Sequence, residues 1–376
     1  VLLLGPVPTP ALALRGTAAI MVTGSHIPAD RNGLKFYTPQ GEISKSDEAA
    51  ILAAMGRASG QLAGTRHIVT TANADYIARY GFGDLTGLRI GVYQHSSVAR
   101  DLMMDLVTTL GATAIALGRA DHFIPVDTEA LAPEMLTQLR DWSAAHGLDA
   151  IISADGDADR PLLTDENGRV IKGDILGILT ARYLRADVIC TPISTNSMVR
   201  DMAPTVHLTK IGSPFVIAAM QAASEQAATG RVVGFEANGG FLLGFTADGP
   251  LPPLMTRDAI LPILAPLMLS KGQGLAALVT TLPPRFTAAD RLTGVDIAKS
   301  AALIAGLQGD AAGFFGPLRA VNHTDGLRVT RADGQIVHLR PSGNAPEFRC
   351  YVEADSESEC AKLLAEMLNK LRPLLR

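Results

Sequence analysis

Three carboxylates at alternate positions, Asp155, Asp157 and Asp159, occupy a short loop that ends in Arg160. The loop Asp155-Gly156-Asp157-Ala158-Asp159-Arg160 follows Ala150-Ile151-Ile152, an apolar run that reads as a buried strand. Like charges a few ångströms apart repel, so three converging acids need something positive between them. A hard divalent cation with oxygen ligands meets that need, and Mg2+ leaves room for a substrate phosphate. Arg160 adds a planar fork suited to phosphate. Two plainer readings compete: a solvated acidic turn, or an EF-hand with Asp155, Asp157, Asp159 and Glu166 at its positions 1, 3, 5 and 12. The EF-hand requires glycine at its sixth position, where Arg160 stands. Its flanks also read wrongly, since Pro161 to Thr164 and Arg169 to Ile171, joined by Asp165-Glu166-Asn167-Gly168, form a β-hairpin pattern.

Ligands of open α/β sheets collect beyond the carboxyl ends of strands, and three further loops are candidates for such places. Thr23-Gly24-Ser25-His26-Ile27-Pro28 follows the apolar strand Ala18 to Val22, leaving Ser25 exposed and free to carry a phosphoryl group. The bland alternatives are a capping or turn serine, a packed His26 and a surface Lys35. Phe235-Glu236-Ala237-Asn238-Gly239-Gly240 offers a carboxylate and an amide to sugar hydroxyls, though alone it is no more than a turn. Arg340-Pro341-Ser342-Gly343-Asn344-Ala345-Pro346, with Arg349 beyond, forms an anion nest of arginines, a hydroxyl, an amide and backbone N–H groups.

The elements that must position these loops alternate. A helix is expected near Ser46 to Arg57, strands at Leu88 to Tyr93, Ala114 to Leu117 and Ala150 to Ile152, and helices at Ser97 to Leu110 and Pro133 to His146. That order is βαβ and gives a parallel sheet. It resumes with helices at Asp174 to Leu184 and Pro214 to Gln226 between strands at Asp187 to Cys190, Val206 to Lys210 and Arg231 to Phe235. From about Arg285 a strand meander closed by a helix, Glu357 to Leu371, replaces it. The expected fold is α/β: three α/β domains with mixed, mostly parallel sheets and a C-terminal α+β domain, bounded at 1–86, 87–183, 184–284 and 285–376.

Bulk composition narrows the function. Of 376 residues, 47% are apolar and 19% charged, with net charge −4, which excludes a fibrous or disordered chain. Without a basic stripe, no nucleic-acid partner is expected, whereas a local group of arginines suffices for a phosphorylated small molecule. Cys190, Cys350 and Cys360 are odd in number and lack metal spacing, as suits reduced thiols in a cytoplasmic protein. No membrane span is expected, because Pro262 and Pro266 break the apolar run Ala259 to Leu269. Val1 to Leu4 reads as a buried strand and not a signal peptide: it lacks a basic start and is followed by Pro6, Pro8 and Pro10. The chain has no initiating Met and is expected to begin inside a domain.

Taken together, the loops resemble the α-D-phosphohexomutases of the phosphomannomutase/phosphoglucomutase type. That family carries T-x-S-H-x-P, N-G-x-K, D-G-D-x-D-R, a G-E-x-S/N-G sugar loop and R-P/A-S-x-T/N-x-P; here Thr23 to Pro28, Asn32 to Lys35, Asp155 to Arg160, Glu236 to Gly239 and Arg340 to Pro346 stand in that order. The resemblance implies four domains around a central cleft. It implies Ser25 as a phosphoserine, with Ser25, Asp155, Asp157 and Asp159 as Mg2+ ligands, and His26, Lys35 and Arg160 as catalytic groups. It further implies Glu236 and Asn238 as readers of sugar hydroxyls. Arg340, Ser342, Gly343, Asn344 and Arg349 would be the clamp for the idle phosphate, and Lys210 a substrate-loop lysine. The implied reaction moves phosphate between C6 and C1 of a hexose, mannose first and glucose second, through hexose 1,6-bisphosphate. Alternatives are phosphoglucomutase or phosphoglucosamine mutase activity, a non-catalytic phosphosugar-binding relic, or a Mg2+ phosphatase. A monomer or homodimer is expected. Gly240 departs from the family, where a histidine often follows the sugar loop, and an arginine from the family's first domain has no counterpart here.

Overall fold

The computed structural model describes residues 1–28, 30–57, 64–226, 230–249, 251–342 and 346–375. These group into two compact units. The first comprises Val1–Thr191, Met202–His207 and Gly212–Thr281; the second comprises Pro192–Asp201, Leu208–Ile211 and the chain from Leu282 on.

In the first unit, Arg89–His95 lies between Thr113–Arg119 and Ala150–Ala154, parallel to both. Pro161–Thr164 and Val170–Ile171 complete this sheet antiparallel, as the expected hairpin after the acidic loop. Ala150–Ala154 is buried at every position, as an apolar strand covered on both faces must be. Helix Pro133–His146 begins with proline in its first turn and ends on Gly147, whose φ of 57° makes the left-handed cap. The next sheet runs in the order Thr205–Thr209, Val188–Pro192, Val232–Phe235, Phe241–Leu243, Leu254–Asp258. Its central pair is parallel, and its last two strands turn back antiparallel.

The start of the chain differs from expectation. Leu2–Leu3 is a two-residue strand and both leucines are exposed. Ala19–Thr23 is also half exposed, with Ile20 and Val22 facing outward, because it pairs only with Gly33–Thr38 within an antiparallel three-stranded sheet. The run from Ala259 is a buried helix, Leu261–Leu269. Among the described residues, no helix is long and apolar enough to cross a membrane.

The second unit carries an antiparallel sheet in the order Phe286–Thr293, Glu347–Ala354, Ile336–Pro341, Leu327–Arg331, Leu318–Asn322. Helices Ile297–Gly309 and Glu357–Leu375 cover one face, burying Val329, Val337, Leu339, Phe348 and Val352. All three cysteines are free and buried.

Candidate active site

Ser25 leaves the end of strand Ala19–Thr23 with φ 46°, a left-handed conformation unusual for a residue with a Cβ. The Thr23 hydroxyl accepts the Ser25 N–H at 2.8 Å, and the Ser25 carbonyl accepts the Gly156 N–H at 3.2 Å. The turn therefore rests directly on the acidic loop. A Cβ added to Gly156 would lie 2.5 Å from the Ser25 carbonyl oxygen, so only glycine permits this approach. As a result, the Ser25 hydroxyl donates to Asp155 Oδ2 at 2.6 Å, and its oxygen lies 3.1 Å from His26 Nδ1.

Asp155, Asp157 and Asp159 are buried, and one ligand oxygen from each lies within 4.8 Å of the others. Cations surround them. Lys35 donates to Asp157 Oδ2 at 2.6 Å and to Asp159 Oδ2 at 2.5 Å, and Arg257 donates to Asp159 Oδ2 at 2.6 Å. The Arg160 guanidinium lies 3.8 to 3.9 Å from Asp159 and Asp155 and 3.4 Å from His26 Nε2.

The charges respond accordingly. Burial, then repulsion from Asp159 and Asp157, pushes Asp155 well above the usual carboxylate range. Burial pushes Asp159 the same way, but Arg257, Lys35 and Arg160 outweigh it and hold the group low. Burial also opposes the Lys35 ammonium, and Asp159 and Asp157 more than offset it. His26 is lowered by burial and then by Arg160. Even with these partners, Asp157 Oδ1 and Asp159 Oδ1 are buried acceptors without a hydrogen bond. Such orphaned oxygens beside a hydroxyl are the donor set of a hard divalent cation.

Glu236 and Asn238 reach the same place from the turn after Val232–Phe235, which closes through Gly239 N–H to the Glu236 carbonyl at 2.9 Å. Arg257 joins the two loops: its Nη1 donates to Glu236 Oε2 at 2.9 Å while Nη2 holds Asp159. It also explains Gly240. A Cβ there would lie 2.7 Å from Arg257 Cδ and 2.9 Å from the Asp159 carbonyl oxygen.

The sequence reading missed Arg257 and Thr9. Thr9 is fully buried at the start of helix Thr9–Ala13, among the prolines noted above, and its hydroxyl donates to Asp157 Oδ2 at 2.7 Å. The available signal was a threonine between Pro8 and Pro10, and an Arg-Asp pair closing strand Leu254–Asp258. Asp258 accepts from the buried Tyr76 and Tyr80 hydroxyls and caps helix Leu261–Leu269 through Ile260 and Leu261 N–H, which anchors the strand bearing Arg257.

In the second unit, Arg340 and Arg349 are direct cross-strand neighbours. Arg340 Nε pairs with Asp325 Oδ2 at 2.8 Å, and the same carboxylate oxygen accepts the Ile211 N–H at 3.0 Å. Asp325, not anticipated from sequence, therefore ties the exposed Lys210 segment to the arginine strand. Ser342 is buried, its N–H donating to the Glu347 carbonyl at 2.8 Å. Gly343 and Asn344 lie outside the described residues.

Comparison with known proteins points one way. Residues 1–61, 69–168 and 172–286 match α/β/α domains I, II and III of the phosphoglucomutase/phosphomannomutase family, and residues 291–370 match its C-terminal domain. A phosphomannomutase of Sinorhizobium fredii is 45% identical over 97% of this chain and 82% of its own length. A phosphomannomutase of Salmonella muenchen is 43% identical over 99% and 81%. A phosphoglucosamine mutase of Thiobacillus denitrificans is 31% identical over 98% and 80%. A Burkholderia thailandensis phosphoglucomutase/phosphomannomutase family structure shares the fold with TM-score 0.79 at 21% identity, covering 98% of this chain and 81% of that one.

Proposed function

Because the chain belongs to the phosphoglucomutase/phosphomannomutase family and is a phosphohexomutase-type isomerase, we propose that it interconverts mannose 6-phosphate and mannose 1-phosphate, with glucose phosphates as second substrates. The observation that carries this reading is the Ser25 hydroxyl, 2.6 Å from Asp155 within the acidic group. The two phosphomannomutases are 43% and 45% identical, against 31% for the phosphoglucosamine mutase, and this supports the choice of sugar. The order of the four family matches supports working segments at 1–86, 87–183, 184–284 and 285–376.

Phosphoryl transfer needs positioning and charge neutralisation more than covalent chemistry. Phospho-Ser25 gives its phosphoryl group to one hydroxyl of the hexose phosphate, and the other phosphate of the resulting hexose 1,6-bisphosphate returns to Ser25. Asp155, Asp157, Asp159 and the Ser25 oxygen would hold Mg2+, which when bound would supply charge neutralisation at the transferring group. Arg160 aims its guanidinium at the same oxygens. His26, 3.1 Å from the Ser25 oxygen, moves the hydroxyl proton, while Lys35, bound to two carboxylates, remains an ammonium and balances charge. Glu236 and Asn238 accept and donate to sugar hydroxyls. Arg340, Ser342 and Arg349, with Gly343, Asn344 and Lys210, hold the phosphate that is not reacting.

A coupled assay on mannose 1-phosphate and glucose 1-phosphate, with phosphopeptide mapping of the purified protein, tests this. Turnover of mannose 1-phosphate with phosphate on Ser25 is expected. The Ser25→Ala variant should lose turnover by roughly 10³-fold or more, and chelation should abolish activity until Mg2+ is restored. Activity confined to glucosamine phosphates overturns the sugar assignment, and binding without turnover by the Ser25-phosphorylated chain overturns the mutase.

A further inference from the structure

The sheet of the second unit has one face under α-helices and one approached only by the short 3-10 helix Ser197–Asp201 among the described residues. On this second face, alternate positions carry Arg328 and Thr330 on one strand and Ile336, His338 and Arg340 on the next. A cavity of about 520 Å³ opens there, lined by Ser197, Arg200, Arg285, Arg319, Arg328 and Thr330, among others. Its floor at Ile336 is four residues from Arg340, about 13 Å along the strand, so it is centred away from the proposed substrate clamp.

Four guanidiniums thus share one cavity with little to neutralise them. Glu353 is engaged by Ser197 through both N–H, at 3.0 Å, and hydroxyl, and by Arg285 Nε at 2.7 Å. Arg285 is further held by the exposed Asp355 and by the Gly334 carbonyl. Among the described residues, Arg200 and Arg319 form no ion pair. Arg328 is only 7% exposed, yet its nearest carboxylate oxygen, on Glu353, is 4.0 Å away, beyond hydrogen-bond distance. The Arg328 fork, which lines the cavity with no carboxylate within hydrogen-bond distance, is left to an anion there.

We infer that this cavity is a second anion site, which takes the dianionic phosphoryl group of a small molecule, free or esterified. Planar guanidiniums match phosphate oxygens two at a time, and the Thr330 hydroxyl and the Asn322 amide add to a polar wall. Burial, then the like charges of Arg200 and Arg285, weakens proton binding at Arg328, which agrees with a site short of negative charge. A volume of about 520 Å³ suits a small ligand better than an extended acidic peptide.

The test is equilibrium dialysis of the full chain against labelled inorganic phosphate, in an Arg340→Met, Arg349→Met background that removes the clamp. Adding Arg200→Gln and Arg319→Gln, both at exposed positions that the fold does not depend on, should weaken the remaining binding at least tenfold. Arg328→Met should do the same, with circular dichroism checking the fold. In the otherwise native chain, Arg200→Gln with Arg319→Gln should leave kcat within about twofold. Binding that is unchanged by these substitutions overturns the site, and so does a loss that parallels a loss of turnover. Stronger displacement by glucose 1-phosphate than by unlabelled phosphate assigns the site to an ester, and equal displacement assigns it to the free ion.

Discussion

Removing Arg257 would leave two buried carboxylates short of a partner. Its guanidinium sits between Asp159 and Glu236, both buried, and among the described residues no other arginine touches both carboxylates. Burial works against its charge, but Asp159, Glu42 and Glu236 outweigh this and fix it in the ionised form. Breaking such an arrangement from one side costs more than the pair is worth, because the partners stay buried and charged. Arg257→Met is therefore expected to destabilise the protein by roughly 3–5 kcal/mol, read from urea midpoints. Arg257→Lys keeps the charge but loses the two-sided fork, so it should fall between the two and recover stability more than sugar affinity. Equal midpoints for Arg257→Met and the native chain would remove Arg257 from this role. Gly240 is coupled to the same side chain, since it leaves the space that the Arg257 methylenes fill. That clarifies why a sugar loop that departs from the family at Gly240 nonetheless closes around Glu236 and Asn238.

Elements position the reactive groups by close approach of backbone. The serine turn and the acidic loop meet where Gly156 N–H bonds the Ser25 carbonyl, and the Gly156 carbonyl accepts the Val98 N–H at 3.1 Å. Gly156→Ala pushes a methyl into the Ser25 carbonyl and separates the two loops. Misplacement of about 1 Å at a reacting centre costs on the order of 10² in rate, so kcat/KM should drop by about that factor, while the melting temperature falls only modestly because the strand beneath is intact. Unchanged kcat/KM would show that the loops do not act as one unit. The sequence revealed such elements where periodicity and punctuation agree: Pro133–His146, bounded by proline and Gly147, and Ala150–Ala154, apolar throughout. The acidic, serine, sugar and clamp loops were legible because each breaks an apolar strand with a dense set of polar residues. Helix Ala72–Ala78 was not, since its purpose is Tyr76 and, just beyond it, Tyr80 reaching Asp258 some 180 residues away, a contact local pattern does not encode. Strand Phe286–Thr293 was missed for a related reason: its exposed, charged Asp290 and Arg291 hide the alternation, and its pairing with Glu347–Ala354 supplies the order. Thr9 and Arg257 escaped because each acts across the fold and neither has a local motif.

Each compact unit contains a buried imidazole that must remain neutral, and this ties the stability of the whole molecule to pH. His95 Nε2 donates to the Ala154 carbonyl at 2.7 Å in the first unit, and His338 Nε2 donates to the Asp325 carbonyl at 2.6 Å in the second. In both rings Nδ1 is buried without an acceptor or donor, so a second proton has no partner. Burial lowers each group to about 4. The unfolded chain takes up a proton on these rings near the ordinary histidine value, about 6.5, whereas the folded chain does not until about pH 4. Folding therefore has its full stability above the unfolded value and loses it progressively as pH falls through this window, by up to a few kcal/mol for each ring. The His338→Gln variant should be less stable at pH 7.5, because the amide packs less well, but its urea midpoint should fall less steeply between pH 6.5 and 4.5 than that of the native chain. His95→Gln should show the same flattening. Midpoints that fall in parallel for native and variant proteins would mean that neither imidazole governs the acid limb and that the carboxylates held low in the fold do, with Asp159 the first to suspect.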